Sequence, residues 1–172
     1  SVNPSVLIPR PETEELVRWV IEVNKGNKGL RILDIGTGSG CIIIALGLHL
    51  IRPVLTGIDI SGAAIGTAIK NSSSAHVTVQ FRKINILDTD EWEKLDQFEL
   101  IVSNPPYVRE KEKEAMRPNV LDHEPYEALF VPDSDPLLFY KAISFFGKEK
   151  LVNNGRLYLE INETDEPSKI VV

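Results

Sequence analysis

Residues 30–40 have the sequence Leu30-Arg31-Ile32-Leu33-Asp34-Ile35-Gly36-Thr37-Gly38-Ser39-Gly40, in which an apolar segment typical of a buried strand runs into three glycines spaced two residues apart. An apolar helix is predicted to begin near Cys41. Glycines lack a Cβ atom, so the backbone can adopt left-handed angles and a ligand can approach the main chain at the N-terminus of that helix. The stretch therefore predicts a loop for a nucleotide-type cofactor, formed by Gly36, Thr37, Gly38, Ser39 and Gly40.

A second strand pattern begins at Val54 and ends on Asp59, 19 residues after Gly40. A carboxylate at this place can accept hydrogen bonds from both hydroxyls of a ribose. The glycine spacing is G-x-G-x-G and differs from the G-x-G-x-x-G of dinucleotide-binding folds. An ordinary strand-to-helix turn beside a strand-end acid is the alternative. The loop and Asp59 together favour a cofactor site, but they do not distinguish between a nicotinamide cofactor, another nucleotide and S-adenosylmethionine.

Composition limits the classes of function. With 172 residues, 42% of them apolar and 26% charged, the chain suits one globular domain. A net charge of −6 disfavours a broad electrostatic grip on a nucleic-acid backbone. The single cysteine permits no internal disulfide, and the histidines at 49, 76 and 123 lack metal-ligand spacing. No apolar run is long enough to cross a bilayer. We expect a cytoplasmic protein that binds no metal and no membrane.

Strand and helix patterns alternate along the chain. They predict an α/β fold with a doubly wound, mostly parallel sheet and helices on both faces, in which ligands bind at the carboxyl ends of the strands. A long loop over the site is expected from Arg109 to Pro136. The predicted helices are Pro11–Asn24, Ser61–Lys70, a short one at Glu91–Leu95 and Leu137–Leu151, and the later strands are Val77–Phe81, Phe98–Ser103 and Arg156–Ile161 after a turn at 153–155.

The strand predicted at Phe98–Ser103 ends on Asn104-Pro105-Pro106-Tyr107. Asn104 offers a side-chain carbonyl oxygen, and Pro105 and Pro106 have no backbone N–H to donate, so the turn presents acceptors. Acceptors directed at the N–H groups of an amide or aromatic amine can orient its delocalised lone pair toward an electrophile, and Tyr107 adds a flat face for stacking. The alternative is a Pro-Pro turn in which Asn104 is a local cap.

With this turn in place, the chain resembles the HemK/PrmC-type glutamine N5-methyltransferases of peptide chain release factors, which belong to the class I, Rossmann-like, S-adenosylmethionine-dependent methyltransferases. The resemblance covers most of the chain. The motifs that carry it are Pro9-Arg10-Pro11-Glu12-Thr13-Glu14, Asp34 to Cys41, Asp59, Asn104-Pro105-Pro106-Tyr107, and Glu124-Pro125 with Ala128-Leu129.

The resemblance implies a role for each motif. Gly36 to Gly40 would hold the methionine part of S-adenosylmethionine, Asp59 its ribose, and Asn85 and Ile86 its adenine, where the family usually has an acid and a larger apolar residue. The residues Asn104, Pro105, Pro106 and Tyr107 would bind the substrate glutamine amide and form the catalytic turn, with Asn104 also bordering the cofactor. Family members carry an N-terminal helical domain that grips the release factor. Residues 1–172 are therefore expected to be the catalytic domain of a longer protein.

Three functions remain open at this stage. The first is methyl transfer to the glutamine of the GGQ motif in a release factor, in translation termination, with no direct nucleic-acid binding. The second is methyl transfer to an exocyclic amine of a nucleic-acid base, adenine N6 or guanine N2, which shares the Asn-Pro-Pro-Tyr motif. The third is a non-catalytic module that binds S-adenosylmethionine.

Overall fold

The computed structural model describes residues 11–109, 111 and 130–161. Its helices are α1 (Pro11–Asn24), α2 (Cys41–His49), α3 (Gly62–Ser74) and α4 (Leu138–Lys150), with a 3-10 helix at Thr89–Lys94. Its strands are β1 (Arg31–Ile35), β2 (Val54–Asp59), β3 (Gln80–Lys83), β4 (Phe98–Ser103), β5 (Val108–Arg109), β6 (Phe130–Val131) and β7 (Leu151–Leu159). None of the helices in these ranges is long and apolar enough to cross a membrane.

Five strands form one parallel sheet in the order β3-β2-β1-β4-β7. The chain builds outward from β1 to β3 and then crosses back to place β4 on the other side of β1. This reversal of strand order is the switch point at which open α/β sheets bind ligands. Ile35 lies opposite both Ile58 and Ser103, so the residues that follow β1, β2 and β4 lie along one edge. The predicted α/β fold class is confirmed.

Two buried clusters hold the sheet from its two faces, because successive side chains of a strand point to opposite faces. The first core cluster packs α1 and α2 on the sheet through Leu16, Val20, Ile32, Ile43, Leu46, Leu55 and Val102. The second packs α4 and the 3-10 helix on the other face through Leu33, Ile35, Ile58, Trp92, Ile101, Ile143 and Phe146. Since β1 contributes to both clusters, the glycine loop that follows it has a fixed base.

Two predicted element bounds were wrong. Helix α3 continues to Ser74 and does not end at Lys70. The hydroxyls of Ser72 and Ser74 donate to the carbonyls of Ile69 and Lys70, and both residues are helical although serines favour caps and turns. Strand β3 then begins at Gln80, and Val77 lies before it, packed on the first core cluster.

Two further regions differ from their predictions. The turn expected at 153–155 lies inside β7. There the register with β4 shifts, since Phe98 pairs with Leu151 and Leu100 pairs with Arg156, and Asn154 has a φ of 65°. At the ends of the predicted loop, β5 and β6 form a parallel pair. Residue 110 and residues 112–129, with the Glu124-Pro125 motif, lie outside the described residues, as do residues 1–10 and 162–172.

Candidate functional site

The glycine loop turns sharply between β1 and α2. Gly36, Gly38 and Gly40 have φ values of 69°, 55° and 80°, in the left-handed region that favours glycine. The loop is held by hydrogen bonds from Thr37 N to Ile58 O (2.9 Å) and from Gly40 N to Thr37 O (2.8 Å). The predicted turn between strand and helix is therefore present, with all three glycines in conformations that other residues rarely adopt.

Gly36 and Gly40 face different surroundings. A Cβ atom on Gly40 would lie 3.1 Å from Ile44 Cδ1 and 3.2 Å from Ala68 Cβ, so this glycine allows α2 and α3 to pack closely. A Cβ atom on Gly36 would meet no described atom within 4 Å, and Gly36 is exposed. Gly40 is thus needed for packing, whereas Gly36 borders open space at the edge of the sheet.

Asp59 ties this loop to the end of β2. Its Oδ2 accepts a hydrogen bond from Gly38 N at 2.9 Å, and its Oδ1 accepts one from Ser61 N at 2.8 Å. A carboxylate oxygen has two lone pairs and can accept more than one hydrogen bond. The structure places the predicted ribose-binding acid directly against the predicted glycine loop.

The predicted adenine segment begins beside Asp59, because Ile84 N donates to Asp59 O at 3.0 Å. Asn85 is half-buried and its Oδ1 caps the N–H of Leu87 at 3.0 Å. The side chain of Ile86 is 7% exposed and belongs to the second core cluster. The segment therefore lies near the loop, and adenine contacts from Asn85 and Ile86 stay a prediction.

Beneath the loop lies Asp34, which the sequence analysis quoted without assigning it a role. It is fully buried, and its Oδ2 accepts a hydrogen bond from Thr37 Oγ1 at 2.6 Å. Its Oδ1 has no hydrogen-bond partner among the described residues. Burial raises the pKa of Asp34 to about 7, the Thr37 hydroxyl opposes the rise, and the negative charge of Asp59 adds to it. The signal for this site in the sequence was an acid between the apolar residues Leu33 and Ile35 of β1.

The Asn-Pro-Pro-Tyr turn leaves β4 at the same edge. Ser103 Oγ donates to Ile35 O at 2.7 Å, which fixes the end of β4 against the residue before Gly36. Pro105 is buried, and Asn104, Pro106 and Tyr107 are half-buried. The structure thus brings the turn to the end of β1, where the glycine loop begins, as the sequence predicted.

Two residues that the sequence analysis did not assign contact this turn. Asn104 Nδ2 donates to Thr13 Oγ1 at 3.1 Å, and Thr13 Oγ1 donates to Glu160 Oε2 at 2.7 Å. Thr13 is 4% exposed and Glu160 is 8% exposed. The signal for Thr13 was its position on the buried stripe of α1, which it shares with Leu16 and Val20. Glu160 follows β7, where its N–H donates to Ser103 O.

Known proteins resemble this chain in sequence. Residues 16–123 match the model of the family described as Methyltransferase small domain. The release factor glutamine methyltransferase of Flavobacterium psychrophilum is 50% identical over 165 residues, and that of Bacteroides thetaiotaomicron is 48% identical over 162 residues. Each alignment covers 94% of this chain and 57% of the relative, so the chain spans little more than half the length of these curated relatives.

Solved structures show the same fold at low sequence identity. The hMettl16 catalytic domain, solved in complex with the MAT2A 3'UTR hairpin 6, is 20% identical with a TM-score of 0.65, over 88% of this chain and 58% of that one. TrmN from Thermus thermophilus is 18% identical with a TM-score of 0.59, over 87% of this chain and 40% of that one. These likenesses concern the fold alone.

Proposed function

The chain belongs to the methyltransferase small domain family, and from this membership we propose that it transfers a methyl group from S-adenosylmethionine to the side-chain amide nitrogen of a glutamine in a peptide chain release factor. The names of the relatives at 50% and 48% identity support the choice of acceptor. Residues 1–172 are proposed to be the catalytic domain of this enzyme, in contact with the release factor and not with nucleic acid, in the cytoplasm.

The residues at the sheet edge fit S-adenosylmethionine. Gly36 borders open space, so a ligand can lie against the main chain there, and the loop from Gly36 to Gly40 would hold the methionine part. Asp59 would accept from the ribose hydroxyls, and Asn85 and Ile86 would border the adenine. Asp34, fully buried beneath the loop, supports it by accepting a hydrogen bond from Thr37 Oγ1. When bound, S-adenosylmethionine supplies an electrophilic methyl group.

One observation carries the proposal for the acceptor: the direction of the Asn104 amide. Its Nδ2 donates to Thr13 Oγ1, and none of the described residues donates to its Oδ1. Oδ1 is therefore the group that can accept a hydrogen bond from an incoming amide N–H. The carbonyl of Pro105 is a second acceptor, and Tyr107 gives a face for a planar group. Two acceptors bound to one NH2 group hold its nitrogen in place and bend its lone pair out of conjugation.

Binding of this kind favours the transition state over the ground state. Positive charge develops on the attacking nitrogen, so the hydrogen bond from its N–H to Asn104 Oδ1 strengthens during the reaction. The rest of the rate enhancement comes from positioning. The cationic product then loses a proton, which requires no strong base.

Mass spectrometry of a bacterial release factor tests this proposal. After incubation with the chain and S-adenosylmethionine, we expect one added methyl group on the glutamine of the GGQ motif. Asn104→Ala should reduce kcat by about 10²–10³-fold while cofactor binding persists, because a preorganised acceptor is lost. A folded Asn104→Ala protein with near wild-type kcat would remove the amide from this turn. Radioactive methyl transferred to RNA or DNA in place of the release factor would favour the base-modifying alternative, and cofactor binding without any transfer would favour the non-catalytic one.

A further inference from the structure

Asn104, Thr13 and Glu160 form a chain of hydrogen bonds that joins three separate parts of the fold. Thr13 lies in the first turn of α1, Asn104 follows β4, and Glu160 follows β7. The Thr13–Glu160 bond is 2.7 Å long and the Asn104–Thr13 bond is 3.1 Å long. Thr13 and Glu160 are buried, so water competes little for these bonds.

Glu160 is itself held in place by neighbouring elements. Its N–H donates to Ser103 O at 3.0 Å, and its backbone carbonyl accepts from Tyr140 OH at 3.2 Å. The first of these bonds fixes Glu160 beside the residue that precedes Asn104. The carboxylate therefore has a defined position relative to the Asn-Pro-Pro-Tyr turn.

The chemistry of the three groups sets the direction of every bond. When Glu160 is ionised its carboxylate can only accept, and the hydroxyl of Thr13 then donates its one proton to Glu160 Oε2. The lone pairs of Thr13 Oγ1 then accept from Asn104, which must present Nδ2 and not Oδ1. The amide of Asn104 is thereby held in one of its two orientations.

We propose that Glu160 and Thr13 are positioning residues that fix the Asn104 amide with its oxygen available to the substrate. The inference rests on the proposed function, because the orientation matters for catalysis only if Asn104 Oδ1 accepts from the substrate amide. In the opposite orientation Nδ2 would face the substrate N–H groups, and two donors would meet. The carboxylate of Glu160 determines the polarity of the site without touching the substrate.

Three variants separate positioning from mere packing. Thr13→Val keeps the shape of the side chain but removes its hydroxyl. In Glu160→Gln the carboxamide can donate to Thr13, so the Thr13 hydroxyl can donate to Asn104 Oδ1 and the Asn104 amide can reverse its orientation. Thr13→Ser retains the hydroxyl. We expect kcat on a release factor to fall by about tenfold or more in Thr13→Val and Glu160→Gln, with the Kd for S-adenosylmethionine within about twofold of wild type. Thr13→Ser should retain kcat within about threefold.

Thr56→Val is the matched control, since Thr56 is a buried threonine of β2, 7% exposed, and no part of the proposed site. It should leave kcat unchanged. Thr13→Val with wild-type kcat would overturn the inference. So would equal losses in Thr13→Val and Thr13→Ser, because loss of the hydroxyl would then not be the cause.

Nuclear magnetic resonance gives a readout that needs no turnover. The side-chain NH2 signals of Asn104, identified by their disappearance in Asn104→Asp, should be unchanged in Thr13→Ser and Thr56→Val. They should shift or broaden in Thr13→Val and Glu160→Gln, because Nδ2 loses its acceptor. Unchanged signals in both variants would overturn the fixed orientation even if the release factor were not a substrate. Conversely, shifted signals together with a wild-type chain that methylates no release factor would contradict the proposed function and leave the orientation supported.

Discussion

Asp34 shows how a single buried carboxyl group links the cofactor loop to protein stability. The pKa of Asp34 rises from 3.8 to about 7 in the folded chain, chiefly because burial disfavours the charged form. The native state then binds a proton that the unfolded chain releases. The stabilising contribution of the protonated group is complete below about pH 4 and is lost as the pH rises toward about 7.

A comparison of wild type with Asp34→Asn measures this contribution, because asparagine does not titrate. The difference in free energy of unfolding, wild type minus variant, should fall by about 2–3 kcal/mol between about pH 5 and about pH 8. Urea denaturation at several pH values gives the difference. A difference that stays flat would mean that the Thr37 hydroxyl and the N–H of Ile43, which both lower the pKa of Asp34, offset the effect of burial.

Also at the scale of single residues, the sequence predicted the positions of Asp59 and Asn104 but not their partners. Both end strands whose patterns are clear, and parallel strands place their ends together. Thr13 and Glu160 are 147 residues apart, so no local pattern connects them. Their contact depends on how α1 packs across the sheet, which is a property of the tertiary structure.

At the scale of elements, the predicted bounds agree with the structure where an element has an apolar pattern that is buried in a core cluster. Helix α1 and strands β2 and β4 have the predicted bounds, because each has an apolar pattern that a core cluster uses. The prediction failed where serines stay helical in α3 and where Val77 packs on the core outside a strand. In α3 the serine hydroxyls bond to carbonyls of their own helix, and at Val77 a tertiary contact outweighs local propensity.

The two ends of the glycine loop should respond differently to the same substitution. Gly36→Ala and Gly40→Ala both place an alanine at positive φ, which costs about 1–2 kcal/mol. Gly40→Ala also brings a Cβ within 3.2 Å of Ala68 Cβ, so α2 and α3 must move apart. We expect Gly40→Ala to lose about 1–3 kcal/mol more stability than Gly36→Ala, the usual cost of overpacking.

The order should reverse for ligand binding. The Cβ of Gly36→Ala enters the open space where S-adenosylmethionine is proposed to lie. Of the two variants, Gly36→Ala should therefore bind the cofactor more weakly, although it loses less stability than Gly40→Ala. Denaturation and calorimetry on both variants provide the comparison. Wild-type affinity in Gly36→Ala would place the cofactor elsewhere along the sheet edge.

At the scale of the whole molecule, the candidate site spans the ends of β1, β2 and β4, whose central positions are held from both faces by the core clusters. A ligand bound there contacts three neighbouring strands of one sheet. We therefore expect S-adenosylmethionine at about 100 times its Kd to raise the free energy of unfolding by about 2.7 kcal/mol in one cooperative transition. For a chain of 172 residues this corresponds to a rise in Tm of about 5–10 °C.

Asp59→Ala tests whether that stabilisation comes from the proposed site. Loss of charge-assisted hydrogen bonds should weaken cofactor binding by about 1.5–3 kcal/mol, so at the same concentration of S-adenosylmethionine the variant should keep at most about half of the stabilisation. Asp88→Ala is a suitable control, because Asp88 is an exposed acid whose side chain caps the 3-10 helix through the N–H of Asp90. It should retain the full gain. An equal gain in Asp59→Ala and wild type would exclude Asp59 as a cofactor ligand, because a ligand stabilises the fold only through the contacts that it makes with the native state.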